Sequence, residues 1–415
     1  MRPLLVLLVI GVLPASVAAS SLSMFGSLYG ERQSNITSST FNPESGAFSR
    51  LRLEANGEET WQKYAWNLNG QFSYQHYDND RFSKQFFGNA FANARWFMVP
   101  QALEWNFDYI ESLELIDPAG RATFDNERSV RVFGSGPVIR LSLLESNELV
   151  ISLRRQRIEG GIKGYYRNIG DSTLFRQIRP RLRVFAGGGF TRVEYGDSRE
   201  DFSIRNAQAG YIYDRSRFNV RVEGGRSWLD QEFLGEQQTE TGAVNARWLV
   251  RGGRSLAARS QLRFGDEVSA LQGVSDELLE GVVDTVGAFR EESHEIVYSG
   301  SDRIADPVVR MWHRERRYQR PIFASRDTRE SGIGTSVRLY NADVGFVMLL
   351  ASAGHRDFLN FNRLDRDHSI TLRGTRLVNP RNEFSIGTGY FERDSTVGSA
   401  SYSSYSLFIE YRGQL

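Results

Sequence analysis

Histidine and cysteine often carry metal-binding or catalytic chemistry near neutral pH, and both are sparse in this chain. Its 415 residues include no cysteine and only five histidines, which are His76, His294, His313, His355 and His368. No HExxH or HxH spacing brings two histidines together as ligands of one metal ion. Without cysteine there is also no disulfide and no thiolate chemistry. The sequence therefore predicts no metal site and no cofactor.

His355 is the histidine that best fits a catalytic base. It lies in the segment Ala353-Gly354-His355-Arg356-Asp357. A histidine on an outer strand surface can activate a serine for lipid hydrolysis if the serine lies within hydrogen-bond reach. The sequence alone does not reveal such a pair, and it contains no GxSxG motif. We therefore interpret His355 as a loop histidine and predict no catalytic residues, with a lipid-modifying enzyme as the less favoured alternative.

Arginine is the dominant basic residue and offers the clearest binding chemistry. Only Lys63, Lys84 and Lys163 are lysines, so 48 of the 51 basic residues are arginines. The planar guanidinium group pairs bidentately with carboxylates and phosphates. Several arginines recur at even spacing and would share one face of a strand. This candidate basic patch comprises Arg310, Arg314, Arg316, Arg217, Arg221, Arg247 and Arg251, with Arg181 and Arg183 spaced in the same way.

Two interpretations of these arginines stay open. They could meet an anionic solute, as charged rings do in pores. They could instead pair with acidic residues of the same wall, and we favour that interpretation for most of them. The acids considered as partners are Glu104, Asp108, Glu223 and Glu410. The stretch from Arg310 to Arg320 contains only one acid, Glu315, so we expect it to be the strongest anion-binding candidate.

Strict alternation of apolar and polar residues predicts the elements that position these side chains. In residues 66–75 the even positions are Trp66, Leu68, Gly70, Phe72 and Tyr74, whereas the odd positions are all Asn, Gln or Ser. Residues 103–109 and 218–223 alternate in the same way. A period of two is typical of β-strands with one apolar and one polar face. A helix with these sequences would carry polar residues on every side.

The N-terminus predicts export. Arg2 precedes an apolar run from Leu4 to Leu13, and small residues follow at Val17-Ala18-Ala19. We predict a signal peptide over residues 1–19 and a single mature domain over residues 20–415, with an N-terminal anchor helix as the alternative. The longest later apolar run, Val344 to Ala353, is far shorter than the roughly 20 residues that a spanning helix needs.

An exported chain of alternating strands without a spanning helix is either a soluble sandwich or a membrane barrel. Three features favour the barrel. The strands continue through nearly the whole chain, aromatic residues lie near strand ends, and charged residues occur deep within strands on the polar face. We therefore predict an all-β, closed antiparallel transmembrane β-barrel of about 16 strands, within a range of about 14 to 18, in a Gram-negative outer membrane.

Two segments carry separate predictions. Tyr405, Leu407, Ile409 and Tyr411 alternate in phase with the terminal Leu415. This pattern resembles the C-terminal signal of outer-membrane barrels, which predicts an interaction of Tyr405–Leu415 with the barrel-assembly machinery. The stretch from Ser269 to Phe289 instead has apolar residues three to four apart and predicts a loop or lumenal helix, with a further strand as the alternative.

Net charge excludes a general attraction to nucleic acid. The formal charge is +1, and removal of Arg2 with the predicted signal leaves 50 basic and 50 acidic residues. A balanced chain creates no long-range field for a polyanion. We expect the folded protein to be surrounded by outer-membrane lipid.

Residues 132–141, Val-Phe-Gly-Ser-Gly-Pro-Val-Ile-Arg-Leu, with Leu149 to Arg157 as the partner strand, resemble a family of barrels associated with PEP-CTERM and exosortase gene clusters. They also resemble the wider β-barrel porin 2 group found with exopolysaccharide operons. The resemblance implies a non-enzymatic pore or secretion component of an exopolysaccharide or envelope system. Anionic polysaccharide or export-system proteins would then be its partners. A general diffusion porin is the nearest alternative.

Overall fold

The computed structural model describes residues 22–38, 43–78, 84–115, 127–160, 164–195, 201–231, 234–266, 288–302, 304–319, 326–341 and 345–415. In these ranges almost every residue belongs to a long β-strand. The strands are β1 (Leu22–Gln33), β2 (Gly46–Thr60), β3 (Tyr64–Tyr77), β4 (Gln85–Val99), β5 (Leu103–Leu115), β6 (Glu127–Leu144), β7 (Asn147–Glu159), β8 (Tyr165–Arg179), β9 (Leu182–Tyr195), β10 (Phe202–Arg215), β11 (Phe218–Gln231), β12 (Gly235–Val250), β13 (Arg254–Gly265), β14 (Phe289–Ser299), β15 (Ala305–Tyr318), β16 (Thr328–Asn341), β17 (Gly345–Phe358), β18 (Arg363–Asn379), β19 (Asn382–Ser395) and β20 (Tyr402–Gln414).

These strands close into one antiparallel barrel. Each strand pairs with the next along the chain, and β20 pairs with β1 from Phe25↔Gln414 to Gln33↔Ser406. Closure removes the unpaired edges that an open sheet would expose. The predicted all-β, closed antiparallel barrel is thus confirmed.

The predicted number of about 16 strands is wrong, because the described residues form 20. The undercount comes from very short connections. Residues 180–181 join β8 to β9, and residues 216–217 join β10 to β11. The two turns are Pro180-Arg181 and Ser216-Arg217. Neither contains the Gly, Asn or Asp residues that mark most two-residue hairpin turns, so each hairpin resembles one continuous run in the sequence.

Alternation assigns one apolar and one polar face to the whole wall. Contacts between strands that are not neighbours, such as Arg412 on β20 with Glu54 on β2, identify the polar face as the concave one. The opposite face carries solvent-exposed apolar side chains around the full circumference. They include Leu28, Leu51, Tyr74, Phe86, Trp96, Phe107, Leu153, Leu174, Phe190, Tyr211, Val244, Trp248, Ile296, Met311, Ile333, Val347, Ile370, Ile386, Leu407 and Ile409. We call this surface the outer belt.

An exposed apolar surface of this extent is stable only in contact with another apolar phase. An apolar belt around a barrel with a polar interior is the arrangement of membrane-spanning barrels. On β20, Tyr405, Leu407, Ile409 and Tyr411 are all at least 48% exposed and point outward together, as their alternation predicts. Among the described residues, no helix is long and apolar enough to cross a membrane.

The two rims of the barrel differ in the length of their connections. One rim has the short turns, such as residues 145–146, 180–181, 216–217 and 380–381, and β1 begins and β20 ends there. The other rim has longer connections, the longest of which joins β13 to β14. Four register shifts, at 97/99, 142/144, 177/179 and 377/379, all lie beside short turns, which is the rim position that β-bulges favour.

The lumen is partly filled on the side of β6 to β11. Eleven residues form a buried apolar cluster near the long-loop rim, and Phe264 and Ala288, close to the two ends of the longest connection, belong to it. Asp266, which follows β13, binds Arg167 of β8 at 2.6 Å. The predicted helix from Ser269 lies almost wholly outside the described residues, and Phe289, its last residue, begins β14. The predicted signal peptide over residues 1–19 also lies outside them.

Candidate functional site

The concave face is the candidate functional surface, because its side chains line the space that the barrel encloses. Carboxylates and arginines of neighbouring strands meet there in direct ion pairs. The four acids named from the sequence each have an arginine partner: Glu104 with Arg140 at 3.0 Å, Asp108 with Arg154 at 3.0 Å, Glu223 with Arg221 at 2.7 Å, and Glu410 with Arg373 at 2.9 Å.

The arginines of β15 do not form the free basic patch that local sequence suggests. Arg314 binds Glu330 at 2.8 Å and Arg316 binds Glu291 at 2.7 Å, while Arg310 binds Glu295. These carboxylates lie on β14 and β16, so counting acids within residues 310–320 missed them. Glu330 also binds Arg356 of β17 at 2.8 Å, which extends the network over three strands.

A second network joins β18 and β19 near the long-loop rim. Asp365 is buried and accepts hydrogen bonds from Arg363 at 2.6 Å and from Ser395 at 2.6 Å. Arg393 binds Asp367 through two nitrogens, at 2.6 and 2.9 Å. Bidentate pairs of this kind restrict both side chains and are stronger than single contacts. These pairs therefore stabilise the wall of the barrel, and their charges are not free to bind a solute.

A third network crosses the seam where the barrel closes. Glu410 of β20 lies between Arg373 of β18 and Arg52 of β2, at 2.9 and 3.5 Å. Arg412 binds Glu54 at 2.6 Å. Since these pairs span strands that are not adjacent, they couple the N-terminal and C-terminal ends of the sheet in addition to the β1–β20 ladder.

The remaining candidate arginines differ in their environment. Arg221 binds Glu223, but Arg217, Arg247 and Arg251 are exposed, and within the described part of the chain no carboxylate lies within 4 Å of their guanidinium groups. Arg247 lies beside Asn219 and Ala257 on the inner face. With Asn219, Asn245, Arg259 and Glu295 it lines a shallow cavity of about 260 Å³.

These three arginines belong to a larger basic surface at the short-turn ends of β8 to β13. Residues 176–183, 214–217 and 247–254 contain nine arginines and one acid, Asp214. We call this surface the arginine arc; its members are Arg176, Arg179, Arg181, Arg183, Arg215, Arg217, Arg247, Arg251 and Arg254. None of the nine has an ion pair with another described residue, whereas Arg183 lies over the ring of Phe175 at 4.7 Å. The sequence spacing revealed part of this arc, but its isolation from acids depends on the fold.

No group of His, Asp or Glu side chains suited to a metal ion occurs among the residues with a described structure. His355 points to the outer face of β17, opposite Ser331. It lies in a strand, so the prediction of a loop position is wrong. Three consecutive glycines of β9, Gly187–Gly189, lie in the continuous hydrogen-bonded pairing of β9 with its neighbours. A Cβ atom added to any of them would collide with β8 or β10.

Comparisons with known proteins concern the whole barrel. The structure is similar to the outer membrane protein OpdK of Pseudomonas aeruginosa, with 10% identity over 95% of this chain and 99% of that one and a TM-score of 0.42. It is also similar to the siderophore receptor PirA of the same organism (9% identity, 95% and 80% covered, TM-score 0.45). A third is the ferric-catecholate import receptor Fiu of Escherichia coli (8% identity, 95% and 82% covered, TM-score 0.46).

At these identities and TM-scores, nothing about function is transferred from the three proteins. No protein-family model matches the sequence. No curated protein matches it either. The resemblance of residues 132–157 to exosortase-associated barrels therefore stays a prediction.

Proposed function

We propose that this chain is an outer-membrane channel whose lumen passes a hydrophilic, anionic cargo, and that it acts as the pore or secretion component of an exopolysaccharide or envelope system. The observation that carries the proposal is a closed wall of 20 described strands with an apolar belt on its outer face and charged side chains on its inner face. Barrels of 16 to 18 strands already enclose an aqueous channel. A barrel of this size with a charged inner wall is suited to a water-filled passage.

The arginine arc supports an anionic cargo. Arginines without a carboxylate partner keep their positive potential, whereas the paired arginines of β15 are neutralised by Glu295, Glu330 and Glu291. Unpaired charge at a pore mouth raises the local concentration of counter-ions. An acidic polysaccharide would therefore be attracted to the arc and not to the β15 arginines.

The position of the arc supports export over uptake. In outer-membrane barrels the short turns face the periplasm and the longer loops face outward. The arc lies on the short-turn rim. A polymer that arrives from the periplasm would meet the attractive charge first, which suits a secretion component. Residues such as Arg247 that face inward would contact the polymer, whereas outward-facing members such as Arg254 would contact lipid headgroups.

The experiment is single-channel recording with the purified full-length protein in planar bilayers. We expect stable conductance in KCl and a reduction of the current by a polyuronate added to the short-turn side, at concentrations at which neutral dextran of equal length has no effect. Absence of conductance above that of the lipid alone would overturn the proposed channel. Equal effects of both polymers from both sides would support a general diffusion porin instead and would overturn the export role.

A further inference from the structure

A row of serine and histidine side chains crosses the outer face of the barrel. Ser260 of β13 lies opposite His294 of β14, which lies opposite His313 of β15. The row continues through Ser331 of β16 to His355 of β17. Three of the five histidines of the chain thus occupy one line on the lipid-facing side, and none of them contributes to the lumen.

One part of this row has the connectivity of a hydrolytic triad. The Ser260 hydroxyl lies 2.8 Å from His294 Nδ1, and His294 Nε2 lies 3.2 Å from Glu292 Oε1. A serine bonded to one ring nitrogen and a carboxylate bonded to the other is the arrangement that activates a serine nucleophile. With Nε2–H donating to Glu292, Nδ1 is the free acceptor that can take the serine proton.

The triad lies at the boundary of the outer belt. Towards the short-turn rim the next outward-facing pair is Ala258 and Ile296, which is apolar. Towards the long-loop rim the next pair is Leu262 and Glu292. The side chains of His294 and Glu292 are each 48% exposed, so the group is open to its surroundings. In a bilayer, this boundary between hydrocarbon and polar headgroups is where the ester carbonyls of glycerophospholipids lie.

We propose that Ser260, His294 and Glu292 form a lipid-ester hydrolase site on the outer face of β13 and β14, with membrane glycerophospholipid as the substrate. This activity goes beyond the proposed channel and does not depend on it. The site replaces His355 as the catalytic candidate. His355 has no hydrogen-bonded serine or carboxylate among the described residues, since the hydroxyl of Ser331 is bonded to His313 instead.

The reaction divides into two balanced steps. Ser260 Oγ attacks the ester carbonyl carbon while its proton passes to His294 Nδ1. The ester C–O bond then breaks, the lysophospholipid alkoxide takes that proton, and an acyl-Ser260 ester is left. In the second step His294 takes a proton from water, the hydroxide releases the fatty acid, and the proton returns to Ser260 Oγ. Glu292 accepts the Nε2–H bond throughout and stabilises the imidazolium ion.

Turnover should be slow, because the strand ladders at this level use the backbone N–H groups that would otherwise stabilise an oxyanion. The register through Ser260 and His294 is continuous with both neighbouring strands. Loss of one oxyanion-hole donor alone lowers kcat by about 10²–10³ in a serine protease. Trapping of the acylated serine is therefore a more sensitive measurement than steady-state release of fatty acid.

The chain provides a matched control in the second serine–histidine pair. His313 Nδ1 lies 2.6 Å from Ser331 Oγ on the same face. Within the described residues, no carboxylate is hydrogen-bonded to the ring of His313. This pair lies on the same face, is partly buried and lacks the third member of the triad, so Ser331→Ala tests whether a serine–histidine pair alone has activity.

The experiment uses the full-length protein in vesicles of phosphatidylethanolamine with a fluorescent acyl chain and, in parallel, a fluorophosphonate probe followed by peptide mass spectrometry. We expect label on Ser260, fatty-acid release by the unaltered protein, and loss of both in Ser260→Ala and His294→Gln. Glu292→Gln should lower the labelling rate by at least about ten-fold and shift its pH profile, because general acid–base catalysis contributes about 10²–10⁴-fold. Ser331→Ala should equal the unaltered protein.

Folding is verified for each variant by the heat-dependent shift in electrophoretic mobility, so that a lost activity is not a lost barrel. The proposal is overturned if the folded, unaltered protein shows neither label nor release. It is also overturned if labelling persists in Ser260→Ala or if Ser331→Ala is equally impaired, since either result places the reactivity outside the triad.

Discussion

Arg167 of β8 and Asp266 at the end of β13 form an ion pair of 2.6 Å inside the barrel, although five strand positions separate them around the wall. Their side chains are 7% and 4% exposed. A further bond joins Arg167 to Gln156 of β7 at 2.9 Å. The pair therefore holds the start of the longest connection, which follows β13, against β8 on the other side of the apolar cluster.

Removal of one partner from this buried pair should destabilise the barrel. In Arg167→Gln, the Asp266 carboxylate loses its bonded cation in a desolvated site, and we expect a loss on the order of 3 kcal/mol in the free energy of unfolding. Urea titration of the detergent-solubilised protein measures it. The matched control is Arg205→Gln on the outer face, whose pair with Glu236 is more than half exposed and should contribute less than about 1 kcal/mol. Equal effects of the two substitutions would show that the Arg167 pair is not buried as described.

Substitution of the β15 arginines should lower the stability of the barrel and should not change its binding of anions. Arg316→Gln leaves Glu291, which is 5% exposed, with a neutral donor, Gln261 Nε2 at 3.0 Å, and the more distant cation Arg263 at 4.0 Å. We expect a clear loss of stability that the double variant Arg316→Gln/Glu291→Gln largely recovers, because the second change removes the uncompensated charge. Thermal unfolding of the single and double variants measures this coupling. An additive loss in the double variant would contradict it.

Ion selectivity should instead depend on the arginine arc. Replacement of Arg217, Arg247 and Arg251 with Gln removes three unpaired positive charges, so the permeability to chloride relative to potassium should fall. The reversal potential under a KCl gradient measures the ratio. The control is Arg310→Gln/Glu295→Gln, which removes a neutral pair from the same lumen and should leave the ratio unchanged. An unchanged ratio in the triple variant, in a barrel that still conducts, would exclude the arc as the selective element.

The assignment of the two faces can be tested on neighbouring residues of β20. Leu407 is 58% exposed on the outer belt, whereas Ser406 lies on the inner face opposite Gly389. Leu407→Arg should destabilise insertion by about 2–4 kcal/mol if its position is near the bilayer midplane. Ser406→Arg should be tolerated, since its side chain meets the aqueous lumen. Folding into vesicles of defined composition measures both, and a greater effect of Ser406→Arg would reverse the orientation of the wall.

The alternation of residue types was sufficient to predict the class of fold and the character of both faces. Successive side chains of a strand point to opposite sides whatever the strand pairs with, so Tyr405, Leu407 and Ile409 share a face on local grounds alone. The arginines of the lumen were found in the same way, from even spacing. The strand number was not predicted correctly, because two-residue turns such as Ser216-Arg217 contain no Gly, Asn or Asp to separate one strand from the next.

Pairing between strands was decided only by the tertiary structure. Arg316 and Glu291 are 25 residues apart. Whether Arg316 is free or neutralised depends on the register of β14 against β15, and local composition does not determine that register. Ser260 and His294 are 34 residues apart, on either side of the longest connection. No sequence motif with a fixed spacing therefore predicts their contact. The sequence by itself determined which side chains face lipid and which face water. Closure of the sheet determined which of them meet, because a shift of the register by two residues keeps every face and changes every partner.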